Sequence, residues 1–143
     1  KKSGKIRPHV AVAALNPHAG DNGKFGREEI DILAPAVKAC QDRQMHVTGP
    51  WPSDTVFLKA QRGEVDAVVT MYHDQGQIAI KLMGFERGVT IAGGLPIPVA
   101  TPAHGTAFDI VGQKKANVSA TQQAFDLLVR MAKTHLADQE SSQ

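Results

Sequence analysis

The chain has 143 residues, of which 42% are hydrophobic and 21% charged, and its formal net charge is +2. That length suits one compact domain, and the scattered positive charge gives no basic face for nucleic acid. No apolar stretch is long enough to span a membrane and no secretory core precedes the first strand, so neither nucleic acid nor membrane is an expected partner.

Val10 to Leu15 (VAVAAL) is nearly all apolar, as strands buried on both faces of a parallel sheet are. It runs into Asn16-Pro17-His18-Ala19-Gly20-Asp21-Asn22-Gly23, a loop of turn formers. Arg27 to Arg43 has helical periodicity through Ile30, Leu33, Val37 and Cys40. Glu28, Glu29 and Asp31 fall in its first turns, where the helix dipole favours carboxylates. Pro35 conflicts with that helix and predicts a kink or a division. Cys40 is the single cysteine, which excludes a disulfide framework and fits a reducing, cytoplasmic setting.

Met45 to Thr48 reads as a short strand, Gly49-Pro50-Trp51-Pro52 as a rigid turn, and Ser53 as the cap of a helix reaching Arg62. Asp66 to Met71 (DAVVTM) is a second apolar strand, and Tyr72 to Gly76 breaks out of it. Gln77 to Met83 reads as a helix closed by Gly84. Val89 to Ala92 and Pro96 to Thr101 are weaker strand candidates, the second placed at a sheet edge by its prolines. A glycine-rich polar stretch runs from His104 to Asn117. Ser119 then caps a helix from Ala120 to about Leu136, with Phe125, Leu128 and Met131 on its apolar side. Strands alternate with helices, which argues an α/β layer fold, αβα, with a parallel or mixed sheet.

His18 and His73 each follow an apolar strand. Ligands of open α/β sheets bind at the carboxyl ends of strands, so two residues 55 apart in sequence can meet there. Neutral imidazole is a common ligand of divalent metals. Asp54 and Asp74 lie in the neighbouring loops and can act as ligands, as groups orienting the ligands, or as bases. A pair of ordinary loop histidines explains the spacing as well. Two imidazoles also do not fill a coordination sphere; His104 could supply a third, but its surroundings suggest another role. The His104 to Asn117 stretch is neither GxGxxG nor a phosphate loop, but its glycines allow close backbone approach to a ligand. Asp109 can accept hydrogen bonds from a ribose diol, which favours NAD over NADP. A plain surface loop leading into a helix accounts for the same residues.

Six motifs in order carry a resemblance: LNPHAG (Leu15 to Gly20), GPWPSDT (Gly49 to Thr55), MYHDQG (Met71 to Gly76), GFERGV (Gly84 to Val89), GGLP (Gly93 to Pro96) and HGTAFD (His104 to Asp109). The chain resembles the 4-hydroxythreonine-4-phosphate dehydrogenases over about His9 to Met131. The His104 to Asn117 stretch also resembles the adenosine-binding loop of isopropylmalate dehydrogenases.

The resemblance implies an isopropylmalate dehydrogenase-like fold, incomplete relative to the full family fold. Residues 1–137 are then the C-terminal portion of a metal- and NAD-binding dehydrogenase, and 138–143 a disordered tail. It implies a divalent metal (zinc, magnesium, manganese or cobalt) held by three histidines, of which His18 and His73 are two, with the third on an upstream segment. It implies a homodimer with shared active sites, Lys81 on the substrate, Asp54 near the metal, Asp109 on the ribose, and His104, Gly105 and Asn117 around the nucleotide. If His73 to Lys81 were one straight helix, they would lie about 12 Å apart along its axis. Either the segment breaks near Gly76 or Lys81 serves the partner's site.

Biosynthetic members of the family, which serve pyridoxal phosphate synthesis, carry asparagine and arginine at two substrate-contacting positions. This chain has Thr90 and Val99 there, and loss of a guanidinium removes a bidentate anion clamp. The pattern is more similar to the branch acting on phosphorylated four-carbon sugar acids such as 4-phosphothreonate or 4-phosphoerythronate. The implied reaction is NAD-dependent, metal-assisted oxidation of a phosphorylated hydroxy acid, with decarboxylation. Two alternatives stand beside it. One is a catalytically incomplete α/β fragment that binds only a nucleotide or a partner subunit; the other is an enzyme of cyclic dihydrodiol carboxylates.

Overall fold

Three apolar segments of the first half form one parallel sheet: β1 (Val10–Ala13), β2 (Val47–Trp51) and β3 (Ala67–Val69), in the order β2-β1-β3. The computed structural model describes residues 6–140. The chain divides into two compact units, the first ending at Ala79 and the second beginning at Ile80.

In the first unit β1 lies between its neighbours, with Val10 opposite both Val47 and Ala67. Each link between these strands carries a helix, α1 (Ala34–Asp42) before β2 and α2 (Val56–Gln61) before β3. That is the connection parallel strands require. Ala11 and Ala13 are fully buried and cluster with Val56 and Val65, with Trp51, Phe57, Ala60 and Val68 packed around them. Alanines on the central strand keep the sheet surface low, so the branched Val56 packs close to it.

Several boundaries differ from the sequence expectation. β1 stops at Ala13, because the N–H of Leu15 turns to a side chain, Glu29 Oε1, at 2.9 Å. β2 runs through the stretch read as a turn, and Ala14 N donates to Trp51 O at 2.7 Å. Two features allow this. β2 is an edge strand, where a proline costs no ladder bond. Gly49 has φ +128°, and a Cβ there would sit 2.5 Å from Val12 O, so only glycine lets the strands close. The register shifts at that point, between Ala11 and Ala13.

Pro35 divides the expected helix. Glu29–Leu33 is a π-turn, and the α-helix proper starts at Ala34 with Pro35 in its first turn. The wider turn absorbs the missing proline N–H. Ser53 does not cap α2; Thr55 holds the N-cap position without a side-chain bond to the helix. α3 (His73–Gly84) begins four residues earlier than expected and has no break near Gly76. The reading in which the segment divides there is therefore corrected. Gln75, whose side chain ties down both Met71 and Ala14, holds the first turn in place.

In the second unit β4 (Val89–Ala92) and β5 (Val99–Pro102) pair antiparallel, Val89 opposite Pro102 and Ala92 opposite Val99. α4 (Ser119–Glu140) packs against both strands. Among the described residues its buried ones are Ala120 and Ala124, four apart on one face, while Phe125 is 62% exposed rather than in the core. Asn117 Oδ1 accepts from Ser119 N at 2.9 Å, so the capping side chain is Asn117 and Ser119 is the first helical residue. α4 continues to Glu140, past both Leu136 and the expected tail start at Asp138; residues 141–143 lie outside the described residues. No helix among the described residues is long and apolar enough to cross a membrane.

Candidate active site

Parallel strands point their carboxyl ends one way, so the segments leaving β1, β2 and β3 gather at one edge of the sheet. His18 lies five residues beyond β1, Asp54 three beyond β2, and His73 and Asp74 just beyond β3. All four side chains are exposed to solvent. The sheet thus brings the predicted metal and acid–base residues to one edge. Among the described residues, no three His, Cys, Asp or Glu side chains converge tightly enough to hold a metal ion.

Local folding explains each position. Pro17–Gly23 forms 3-10 turns in which His18 (φ 53°), Ala19 (φ 53°), Asp21 (φ 41°) and Asn22 (φ 54°) are left-handed. L-residues take that conformation only when their surroundings dictate it. His18 stands 6.0 Å from the Phe25 ring, centroid to centroid. His73 opens α3, and its Nδ1 lies 2.8 Å from Asp74 Oδ1. With that nitrogen engaged by a carboxylate, Nε2 is the one left for a ligand, the pairing by which metal-ligating imidazoles are oriented.

Sequence reasoning missed the residue that organises the first loop. Glu29 is only 3% exposed. Its Oε1 accepts from Leu15 N at 2.9 Å and Asn16 N at 2.7 Å, and its Oε2 from Asn16 Nδ2 at 2.9 Å. Asn16 Nδ2 also donates to Glu28 Oε2 at 2.6 Å. Burial pushes the Glu29 carboxyl up, but the hydrogen bonds from the Asn16 backbone, the Asn16 side chain and Leu15 outweigh it and hold it below the usual 4.5. In sequence Glu29 looks like a first-turn carboxylate of a helix, and only the fold shows that it turns inward.

The remaining predicted residues belong to the second unit. Lys81 lies on α3, eight residues after His73, and Thr90 lies on β4 opposite Thr101; both are exposed. His104, Gly105 and Asn117 line one cleft of about 380 Å³ with Glu86, Ala107, Ile110, Ala116 and Ala120. Asp109 is exposed in the short 3-10 turn Phe108–Ile110 and is not among the residues lining that cleft. His104 Nδ1 lies 2.9 Å from its neighbour's carbonyl, Gly105 O. Glu86, which sequence reasoning did not single out, adds a carboxylate to this cleft.

Residues 1–128 match the family described as pyridoxal phosphate biosynthetic protein PdxA. A Pseudomonas aeruginosa protein provisionally named 4-hydroxythreonine-4-phosphate dehydrogenase 2 is 63% identical over 93% of this chain and 40% of its own length. The D-threonate 4-phosphate dehydrogenase of Salmonella typhimurium is 48% identical over 92% of this chain and 40% of its own length. The crystal structure of a Klebsiella pneumoniae 4-hydroxythreonine-4-phosphate dehydrogenase superposes with a TM-score of 0.78 at 48% identity, over 91% of this chain and 40% of that one. This chain thus spans about 40% of the length of the curated relatives it matches. With a family match over most of its length and the same parallel-sheet α/β fold, the chain belongs to the pyridoxal phosphate biosynthetic protein PdxA family.

Proposed function

We propose that the protein carrying this chain is a dehydrogenase that oxidises a phosphorylated hydroxy acid with NAD and a divalent cation. The substrate is 4-phosphothreonate, 4-phosphoerythronate or 4-hydroxythreonine 4-phosphate. The observation that carries the reading is the placement of His18, Asp54, His73 and Asp74 beyond the carboxyl ends of three adjacent parallel strands. The family names supply the reaction class: the relatives are named dehydrogenases of phosphorylated hydroxy acids.

The donor set fits a divalent cation. Two exposed imidazoles lie beyond neighbouring strands, and one is backed by a carboxylate 2.8 Å from its other nitrogen. The third ligand and part of the substrate pocket come from the rest of the family fold. When bound, the cation supplies Lewis acidity and NAD supplies the hydride acceptor. Asp74 engages Nδ1 of the His73 ring and so leaves Nε2 as the nitrogen for the cation. Asp54, placed in the turn before α2, takes the proton of the substrate hydroxyl. Lys81 and Thr90 bind the substrate, Lys81 pairing with its anion. His104, Gly105 and Asn117 hold the adenosine in their cleft, and Asp109 accepts from the ribose hydroxyls. Loss of carbon dioxide follows where the oxidised product is a β-keto acid. The working unit is a homodimer with shared active sites, and a cytoplasmic location fits the single cysteine. Phe108, Val111 and Phe125, all largely exposed, are the apolar surface a partner would cover.

The test follows NADH formation by the full-length protein with each phosphorylated acid, its dephosphorylated form, and a cyclic dihydrodiol carboxylate. The reading expects turnover with one or more phosphorylated acids, with NAD preferred over NADP and activity lost on chelation. Turnover only with the dihydrodiol, or with no phosphate requirement, contradicts it.

A further inference from the structure

We infer that Glu29 is a positioning residue for the candidate metal site, acting on His18 through Asn16; the inference rests on the proposed reading that His18 is a ligand. Four observations on one short stretch lead to it. The segment between Asn16 and Gly23 carries four non-glycine residues in left-handed conformation, His18 among them. Such backbone does not hold itself in place, so something outside the loop fixes it. The Glu29 carboxylate is the group that does so: it takes the two successive backbone N–H groups at the exit of β1 and the Asn16 side chain. It is buried, and a Cβ at Gly20, two residues after His18, would stand 2.7 Å from Glu29 Oε2. The loop therefore closes onto the carboxylate on both sides of His18.

The chemistry demands a carboxylate there rather than an amide. Glu29 only accepts, and all three groups facing it are N–H donors. A glutamine keeps Oε1 for the backbone pair but turns its own NH2 toward Asn16 Nδ2, donor against donor. Asn16 cannot relieve this by flipping, because its oxygen would then face Glu28 Oε2, which now accepts from Nδ2 at 2.6 Å. The two adjacent carboxylates thus fix one orientation of Asn16. Asn16, two residues before His18, sets where the imidazole leaves the strand.

The experiment measures Co2+ affinity by equilibrium dialysis and the visible Co2+ absorption of the full-length protein, with melting temperature recorded alongside. The variants are Glu29→Gln, Asn16→Ser as a milder change should the first fold poorly, and His18→Ala as the reference. The expected result is a 10- to 100-fold weaker Co2+ dissociation constant for Glu29→Gln, with an altered absorption band. Asn16→Ser is expected to show a smaller weakening in the same direction. His18→Ala must lose the site. If it does, but both Glu29→Gln and Asn16→Ser bind Co2+ as the parent protein does and merely melt earlier, Glu29 is structural only and the inference is overturned. If His18→Ala itself binds Co2+ normally, the ligand reading fails first, and the inference falls with it.

Discussion

Gln75 joins the exits of two strands: its Nε2 donates to the Ala14 carbonyl at 2.9 Å while its Oε1 accepts from Met71 N, also at 2.9 Å. Ala14 follows β1 and leads to His18, and Met71 follows β3 and leads to His73. One amide therefore couples the two loops that carry the candidate ligands. Gln75→Leu removes both bonds and leaves a part-buried carbonyl and N–H without those partners. The expected loss is about 1–3 kcal/mol in urea unfolding, together with weaker metal affinity. An unchanged unfolding midpoint and unchanged metal affinity would show that the tie contributes nothing.

The Glu29 carboxyl predicts an acid limb of stability. Its folded value lies below the usual 4.5, so the proton binds more readily to the unfolded chain. Its contribution is therefore complete above about pH 4.5 and is lost as pH falls through the lower folded value. The stability difference between the parent protein and Glu29→Gln should be widest near neutrality and should shrink below pH 4.5. Urea unfolding of both proteins from pH 7 to pH 3 measures this, and a difference that grows on acidification contradicts the sign.

Among the described residues Val56 is the largest fully buried side chain, and it clusters with the alanines of β1. Val56→Ala removes two carbons from that cluster and is expected to cost about 2 kcal/mol, transfer and cavity together. Metal affinity at the strand ends should stay within about twofold, because the cluster carries no ligand. A large loss of affinity in a folded Val56→Ala protein would mean that the core and the site are coupled more tightly than the contacts indicate.

Asn117 has two assigned tasks that can be separated. It caps the start of α4 and it lines the cleft with His104 and Gly105. Asn117→Asp keeps a capping oxygen but adds charge and removes the NH2 donor, whereas Asn117→Ala removes the cap at about 1 kcal/mol. NAD affinity by titration should fall in both, and stability in the alanine variant alone. If NAD affinity is unaffected by either change, the cleft is not the adenosine site. Asp109→Ser should narrow the preference for NAD over NADP, since the carboxylate that repels a 2′-phosphate is gone.

The strand-ending pattern was legible because it rests on apolar runs. VAVAAL and DAVVTM mark β1 and β3, and the histidines after them fall at the ligand-binding edge of any such sheet. What escaped was set by long-range pairing. β2 continues through Gly49 and Pro50 because Val12 leaves no room for a Cβ, a fact of the neighbouring strand rather than of the local sequence. α3 starts at His73 because Gln75 reaches back to Ala14, 61 residues away. Glu29 looks in sequence like one of three first-turn carboxylates, but it opens the π-turn that precedes Pro35 and is drawn inward by the N–H groups of Leu15 and Asn16, more than a dozen residues earlier. Serine is a common capping residue, which points to Ser119 at the start of α4, but the side chain that takes a first-turn N–H is Asn117, which accepts from the N–H of Ser119 itself.

In the proposed function, His18 and His73 hold the cation on which turnover depends. The most direct test prepares the full-length protein and its His73→Ala variant and measures metal content and NADH formation on the same samples. Bound metal and turnover are expected to disappear together in His73→Ala while the fold, checked by circular dichroism, is retained. A His73→Ala protein with full metal occupancy and normal turnover would contradict it.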